Sequence, residues 1–273
     1  MRPVLFALFL TAAMPAIAQE DLPAPVKFGD AEITFARGED EEITVSHNGV
    51  ELYRNFYVAF SQVANIEGQD VAILSGGDGG NACGPNALIV TLPEDSPDAK
   101  LEVIGECGSP EPAVTSNEIH FVPFVRPGAS LPLMSWTPSR GLVTAGLLSF
   151  EPQEGSNWVN LDVETVKGPW DIFDNADVYA AGKALLGERF ADVMQGLAVA
   201  GRPTYTDDNF LSGAGCAPHS CGSVNGFFGI DIANRQVFAA LRTIGEKDEF
   251  WPQDFNSWPA QLQKAFEDSK IAP

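Results

Sequence analysis

The sequence is poor in basic residues, histidine and cysteine. It holds 16 Lys and Arg against 37 Asp and Glu, and only three His and four Cys in 273 residues. The net charge of −21 disfavours binding to nucleic acid or to an anionic lipid surface, because these carry charge of the same sign. The hydrolase motifs His-Glu-x-x-His and Gly-x-Ser-x-Gly do not occur. We therefore expect neither an enzyme nor a cofactor.

The excess of acidic residues has two explanations, and the sequence leaves both open. It can keep an exported protein soluble, or it can attract a cationic partner over a long range. Neither explanation depends on a particular residue.

Long hydrophobic runs are also missing after the first 20 residues. Near its start the chain has one basic residue, Arg2, then an apolar run over residues 4–10 and the small-residue pattern Ala16-Ile17-Ala18. This run is too short to span a bilayer and is typical of a secretory signal peptide. We expect residues 1–18 to be removed, no lipid anchor because Gln19 is not cysteine, and a periplasmic protein if the cell is Gram-negative.

Four cysteines in an oxidising compartment predict two disulfides, for which three pairings are possible. Proximity along the chain favours Cys216 with Cys221, which leaves Cys83 with Cys107.

Residues 19–160 are predicted to form an all-β domain, a sandwich or a barrel, of unknown role. Short β-like runs alternate with turn residues and show no helical period. The runs are AEITFAR, EEITVS, VELYR, FYVAFSQV, DVAILS, ALIVTL, KLEVIG, EIHFVPFV and PLMSW. We place the boundary near residue 160, where the chain becomes polar and rich in Pro and Gly.

Residues 161–273 are predicted to form an α+β domain with an antiparallel sheet and flanking helices. Helical spacing over residues 175–199 predicts two short helices or one bent helix, with Asn175 or Asp177 as the N-cap. A strand, a cysteine loop and a hairpin turning at Ala233-Asn234-Arg235 follow. A last helix is expected with Ser257 as its N-cap, Pro259 in its first turn, and Leu262 and Phe266 on one face.

Several other candidate sites are weak. The glycine-rich residues 76–84 lack the Lys-Ser/Thr ending of a phosphate loop and are more typical of a hairpin turn. His120 lies in an apolar run and is expected to be packed or half-buried, while His47 precedes Asn48-Gly49 and is expected in a turn. The five tryptophans are expected to fill the edges of the core.

The segment CAPHSC, residues 216–221, is the most informative part of the chain. Cys216, His219 and Cys221 could hold zinc, but a fourth ligand is missing. A thiol-exchange pair usually has two intervening residues, whereas this pair has four. Two interpretations remain. The loop is a surface hairpin that the disulfide only stabilises, or it is a rigid recognition loop in which Pro218 and the disulfide reduce the entropy lost on binding.

This loop resembles the signature loop of the inhibitor of vertebrate lysozyme (Ivy) family, whose pattern is Cys-Lys-Pro-His-Asp-Cys. The resemblance covers roughly residues 165–273 and is specific only at the loop. It implies that Cys216 and Cys221 close the loop, that Pro218 stiffens it and that His219 enters the active-site cleft of a chicken-type lysozyme. Two residues depart from the pattern, since Ala217 replaces Lys and Ser220 replaces Asp.

The resemblance implies an exported inhibitor of chicken-type lysozyme or a related muramidase. It involves no metal or cofactor, and its target-binding residues are Cys216, Ala217, Pro218, His219, Ser220 and Cys221. The alternative is a non-catalytic envelope-binding or adhesion module whose loop is only structural. An enzyme in the N-terminal domain remains a third hypothesis, although no motif supports it.

Overall fold

A computed structural model describes residues 22–79, 83–94, 96–206 and 209–269. The predicted signal peptide, residues 1–18, lies outside these residues. Within the described part of the chain, no helix combines the length and the apolar composition needed to cross a membrane.

The N-terminal part of the described chain consists of β-strands. They are β1 (Val26–Phe28), β2 (Ala31–Arg37), β3 (Ile43–His47), β4 (Val50–Asn55), β5 (Tyr57–Ile66), β6 (Gln69–Gly77), β7 (Asn86–Thr91), β8 (Lys100–Ile104), β9 (Pro112–Val114), β10 (Ile119–Phe121), β11 (Ser130–Thr137) and β12 (Gly141–Ser149). These strands form three four-stranded antiparallel sheets, with the orders β1-β2-β3-β4, β5-β6-β7-β8 and β12-β11-β10-β9.

The sheet β5-β6-β7-β8 is the middle layer of this part. Successive side chains of a strand point to opposite faces, and in β6 and β7 both sets are buried. Leu74 and Leu88 pack with Phe28 of the first sheet, whereas Ile73 and Ile89 pack with residues of the third sheet. The expected all-β architecture is therefore confirmed, and it has three layers.

Some N-terminal expectations need correction. His47 is not in a turn; it ends β3, is 4% exposed and donates from Nε2 to the Phe28 carbonyl oxygen over 3.1 Å. The run EIHFVPFV is a strand only over Ile119–Phe121, since Pro123 cannot donate a ladder hydrogen bond. Gly76 and Gly77 belong to β6, and part of the expected glycine-rich turn lies outside the described residues.

The C-terminal part contains an antiparallel sheet and helices on both of its faces, as expected. Its elements are α1 (Ala176–Leu186), α2 (Phe190–Gly196), β13 (Val199–Ala200), β14 (Thr204–Thr206), β15 (Phe210–Cys216), β16 (Val224–Asp231), β17 (Gln236–Thr243), β18 (Glu249–Trp251) and α3 (Ala260–Asp268). The sheet order is β13-β15-β16-β17-β18, and β14 also pairs with β15.

The residues at the ends of the helices explain where α1 begins and ends, and they correct the expected cap of α3. Asn175 caps α1 through its side-chain oxygen, which accepts from the N–H groups of Asp177 and Val178. Gly187, with φ of 54°, separates α1 from α2, so of the two predicted alternatives the structure has two short helices. Ser257 is not the cap of α3, because it lies in a 3-10 helix and its hydroxyl donates to the Asp254 carbonyl oxygen over 2.6 Å.

Two cores enclose the C-terminal sheet. Helices α1 and α2 cover one face, where Val193 packs with Phe228. Helix α3 covers the other face with Leu262 and Phe266, as its spacing predicted.

Glycine allows α2 to approach the sheet closely. A Cβ built on Gly226 of β16 would lie 2.8 Å from the Gly196 carbonyl carbon and 2.9 Å from the Val193 carbonyl oxygen. Both are backbone atoms of α2, which cannot move as freely as a side chain. The end of α2 therefore rests directly on the strands that lead to the cysteine loop.

The two parts of the chain contact each other around residues 124–129 and 150–153. The ring of Phe150 lies 5.2 Å from that of Tyr179, and the Gln153 N–H donates to the Asp174 carbonyl oxygen over 2.7 Å. Arg126 donates to the side-chain oxygen of Gln195 in α2. These contacts join the N-terminal part to the helical face of the C-terminal sheet.

We predict that Gly226→Ala lowers the free energy of unfolding of the C-terminal part by about 2 kcal/mol or more, because overpacking against backbone cannot be relieved by a rotamer change. Urea unfolding measures the effect. Gly201→Ala is the matched control, since a Cβ there has no atom within 4 Å. Equal stabilities of the two variants would contradict the close packing.

Candidate target-binding loop

The cysteine loop connects two long paired strands, β15 and β16. Cys216 is the last residue of β15 and faces Asn225 across the strand pair. A disulfide joins Cys216 to Cys221, with their Cα atoms 4.8 Å apart. The loop is therefore a covalent ring of six residues standing on a regular hairpin.

The tip of this ring is a tight turn. The Ser220 N–H donates to the Ala217 carbonyl oxygen over 3.0 Å, and Pro218 and His219 occupy the two central positions. His219 has φ of 58°. Proline at the second position followed by a positive φ is the pattern of a type II turn, in which the third residue stands at the bend.

Hydrogen bonds also fix the two ends of the ring. The Ala217 N–H donates to the Val224 carbonyl oxygen over 2.9 Å, and the Val224 N–H donates to the Ser220 carbonyl oxygen over 2.9 Å. The side-chain oxygen of buried Asn225 accepts from the Gly222 N–H over 3.2 Å. The backbone of the ring is thus fixed by its own sheet.

Exposure differs sharply along the ring. Cys216 and Ala217 are 8% and 6% exposed, Pro218 and Ser220 are half-buried, and His219 is exposed. Within the residues that the structure describes, the His219 imidazole makes no hydrogen bond and no ion pair. It can therefore donate and accept hydrogen bonds with a partner.

The base of the ring is supported from one side by β13. Val199 pairs with Cys216 in this short strand, and the Val199 carbonyl oxygen lies 3.7 Å from the Cys216 sulfur. Since β13 follows α2 after two residues, the packing of α2 on the sheet also holds the base of the ring.

An ion pair joins β17 to the residue that precedes β18. Arg242 donates two hydrogen bonds to Asp248, from Nε over 2.8 Å and from the terminal nitrogen over 2.6 Å. Hydrogen bonding to Asp248 raises the pKa of Arg242. Paired hydrogen bonds of this kind fix direction as well as distance.

The zinc interpretation of the loop loses support from this geometry. The two sulfur atoms are bonded to each other, so they offer no thiolate to zinc. Among the described residues, no group of three or more His, Cys, Asp or Glu could hold a metal ion. His47 and His120 lie in the N-terminal sheets, far along the chain from the ring.

The remaining candidates of the sequence have structural positions. Cys83 and Cys107 are joined, with Cα atoms 4.7 Å apart, and enclose β7 and β8. His120 is partly exposed and its Nε2 lies 3.5 Å from Glu118, as expected for a half-buried strand residue. The tryptophans pack at the cores, as expected; Trp136 and Trp258 are each 3% exposed.

Two residues of the site were missed by sequence reasoning. Asn225 fixes the exit of the ring, and Val199 supports its entry. Neither belongs to a recognisable motif. Asn225 follows Gly222 by three residues, a spacing at which an Asn side chain can bond to a backbone N–H. This spacing is the only sequence signal for the role of Asn225.

We predict that the double variant Cys216→Ala/Cys221→Ala loses about 2 kcal/mol of unfolding free energy, because the ring closes a short loop. The double variant Cys83→Ala/Cys107→Ala loses about 3.5 kcal/mol, because its loop is longer. Urea unfolding of both variants gives the comparison. A larger loss from opening the small ring would show that the ring is needed for the fold itself.

We predict that His219→Gly leaves the unfolding free energy unchanged or raises it by up to about 1 kcal/mol. Glycine adopts a positive φ without the steric cost that histidine has, although it also gains entropy in the unfolded chain. Thermal unfolding tests this. A clear loss of stability would mean that the imidazole packs against its own domain.

The family comparisons cover both parts of the chain. Residues 29–149 match the model of the Y4bG N-terminal domain, and residues 177–272 match the model of the inhibitor of vertebrate lysozyme (Ivy) family. The chain is 27% identical over 245 residues to a Sinorhizobium fredii protein with the name "Uncharacterized protein y4bG", covering 88% of this chain and 90% of that protein. Residues 177–272, which include the ring and its sheet, are therefore similar to the Ivy family, as the loop predicted.

Proposed function

We propose that the protein is an exported inhibitor of chicken-type lysozyme or of a related peptidoglycan-cleaving glycosidase. In this proposal residues 1–18 direct export, residues 19–160 form the N-terminal domain and residues 161–273 form the inhibitory domain. The ring Cys216 to Cys221 enters the active-site cleft of the target. The protein acts by occupying the cleft and is not itself an enzyme.

The observation that carries the proposal is the exposed His219 at the bend of a covalent ring. An unpaired imidazole at the tip of a narrow, rigid projection can reach groups inside a cleft. The Ivy-family match of the same residues gives this geometry its target class.

The chemistry of a glycosidase cleft suits an imidazole. Such a cleft presents two carboxyl groups, of which one is protonated and the other ionised. An imidazole between them accepts from the protonated carboxyl group and donates to the ionised one. Both groups are then unavailable to a sugar.

The ring is already shaped before binding. Its disulfide, Pro218 and three backbone hydrogen bonds leave little freedom to lose, so less binding free energy is spent on ordering. Ala217, which replaces the lysine of the family pattern, is buried here. The surface available to the target is therefore made by Pro218, His219, Ser220 and the exposed Cys221.

We predict that His219→Ala abolishes inhibition of a chicken-type lysozyme and leaves the melting temperature within about 2 °C of the wild-type value, since exposed side chains contribute little to stability. His219→Gln keeps a donor and an acceptor and should retain part of the inhibition. Lysozyme turnover at micromolar excess of the oxidised protein measures both. If the wild-type protein leaves turnover unchanged, the proposed function is wrong.

We also predict that the association rate with lysozyme falls about 10-fold or more between low and high salt, because the net charge of −21 attracts a cationic enzyme at long range. The dissociation rate should change much less. Stopped-flow mixing at several ionic strengths separates the two rates. A salt-independent association rate would assign the acidity to solubility alone.

A further inference from the structure

A second turn lies directly beside the cysteine ring. The Ile244 N–H donates to the Ser223 carbonyl oxygen over 2.8 Å, and Ile244 is the residue that follows β17. The Ser223 N–H in turn donates to the carbonyl oxygen of Ser220, a ring residue, over 2.9 Å. The backbone of Ser223 therefore joins the ring to the turn after β17 through two hydrogen bonds.

This neighbouring turn holds Ile244 at its bend. The Glu246 N–H donates to the Thr243 carbonyl oxygen over 3.0 Å, so Ile244 and Gly245 are the two central residues. Gly245 has φ of 80°, as the third residue of a type II turn requires. The ion pair between β17 and the residue before β18 joins the two sides of this turn. The turn is thus ordered before a partner arrives.

Val199 lies beside the base of the ring on its other side. Four strands each contribute one residue to a row of partners across the sheet, and in the order β13, β15, β16 and β17 these are Val199, Cys216, Asn225 and Arg242. Adjacent strands are about 4.8 Å apart, so the row spans about 14 Å. The ring projects from the two middle strands, β15 and β16, between Val199 and the turn of Ile244.

Both flanking side chains are apolar and exposed. Ile244 is 65% exposed and Val199 is 50% exposed. Neither belongs to the two cores that enclose the described C-terminal sheet. Apolar side chains in this position contribute to stability only when a partner removes them from water.

The charges of the turn do not oppose a cationic partner. Glu246 and Lys247 are both exposed and carry opposite charges, while Asp248 is paired with Arg242. The turn therefore has no net positive charge beside Ile244, and its contact with an enzyme would be apolar rather than ionic.

The short reach of the ring determines what covers these side chains. His219 follows Cys216 by three residues, so its backbone extends at most about 10 Å beyond the cysteines. Before the imidazole can meet carboxyl groups at the floor of a cleft, the walls of that cleft must pass on both sides of the ring. The edges of these walls then meet the row from which the ring projects.

We propose that Val199 and Ile244 pack against the two edges of the glycosidase cleft that receives His219. We call these two residues the rim pair. The inference rests on the proposed function and adds to it the residues that contact the enzyme outside its catalytic groups. Because the spacing of the rim pair is fixed by the sheet, it favours targets whose cleft is apolar at both edges.

The test compares variants of the full oxidised chain against chicken-type lysozyme by surface plasmon resonance. Ile244→Ser and Val199→Ser should each raise Kd about fivefold, because each loses an apolar contact, mainly through faster dissociation. The double variant should raise Kd about 25-fold, since effects at sites more than about 10 Å apart usually add. Ile244→Val, which keeps an apolar side chain, should retain most of the affinity.

Leu147→Ser is the matched control. Leu147 is 67% exposed and lies in β12 of the N-terminal part, outside the row that carries the ring. Its Kd should stay within about twofold of the wild-type value, as for an exposed side chain that meets no partner. A fivefold rise for this variant as well would assign the effect to loss of any exposed apolar residue and overturn the rim pair.

The outcomes separate this inference from the proposed function. If the wild-type protein does not bind, both are overturned. If His219→Ala loses inhibition while either Ile244→Ser or Val199→Ser binds as tightly as the wild type, only the rim pair is overturned. The melting temperatures of both serine variants should lie within about 3 °C of the wild-type value. A larger fall would show that the side chain packs within its own domain, which overturns the rim pair.

Discussion

The covalent closure of residues 216–221 on a regular strand pair is the constraint on which the site depends. Cys216 ends β15 opposite Asn225, so the disulfide starts from a position that the sheet already fixes. A free loop of this length would sample many conformations, and its ordering would oppose binding. The ring instead loses this conformational entropy when the chain folds, and the hydrogen bonds between β15 and β16 offset the loss.

The same constraint holds His219 in an unfavourable backbone conformation. A positive φ is uncommon for residues other than Gly, although His, like Asn and Asp, adopts it more often than most residues do, and at a flexible surface position the chain could leave it. Here the turn bond between Ser220 and Ala217 and the fixed φ of Pro218 leave few alternatives. Strain of this kind persists where the surroundings over-determine the geometry, as they do at functional sites. The strain and the exposure of His219 therefore have one origin.

The sequence predicted the elements that depend on a local residue pattern. It did not predict features that depend on contacts with residues far along the chain. Alternation located β2, and helical spacing located α1 and the buried pair Leu262 and Phe266. It did not reveal three stacked sheets, because burial of β6 and β7 on both faces depends on strands far away along the chain. His47 was misplaced for the same reason, since its partner is the Phe28 carbonyl oxygen in a strand that we had not predicted.

At the loop, the residue types predicted the ring and its disulfide. They did not predict which parts of the fold support the ring. The order Cys-Ala-Pro-His-Ser-Cys predicts a short ring with a stiff turn. The close approach of α2 through Gly196 and Gly226 depends on backbone geometry. Because the end of α2 contacts Trp170 and Arg126 on one side and continues into β13 on the other, the N-terminal part and the ring share one rigid support. The base of the ring and the nearby N-terminal segment are therefore both held by α2.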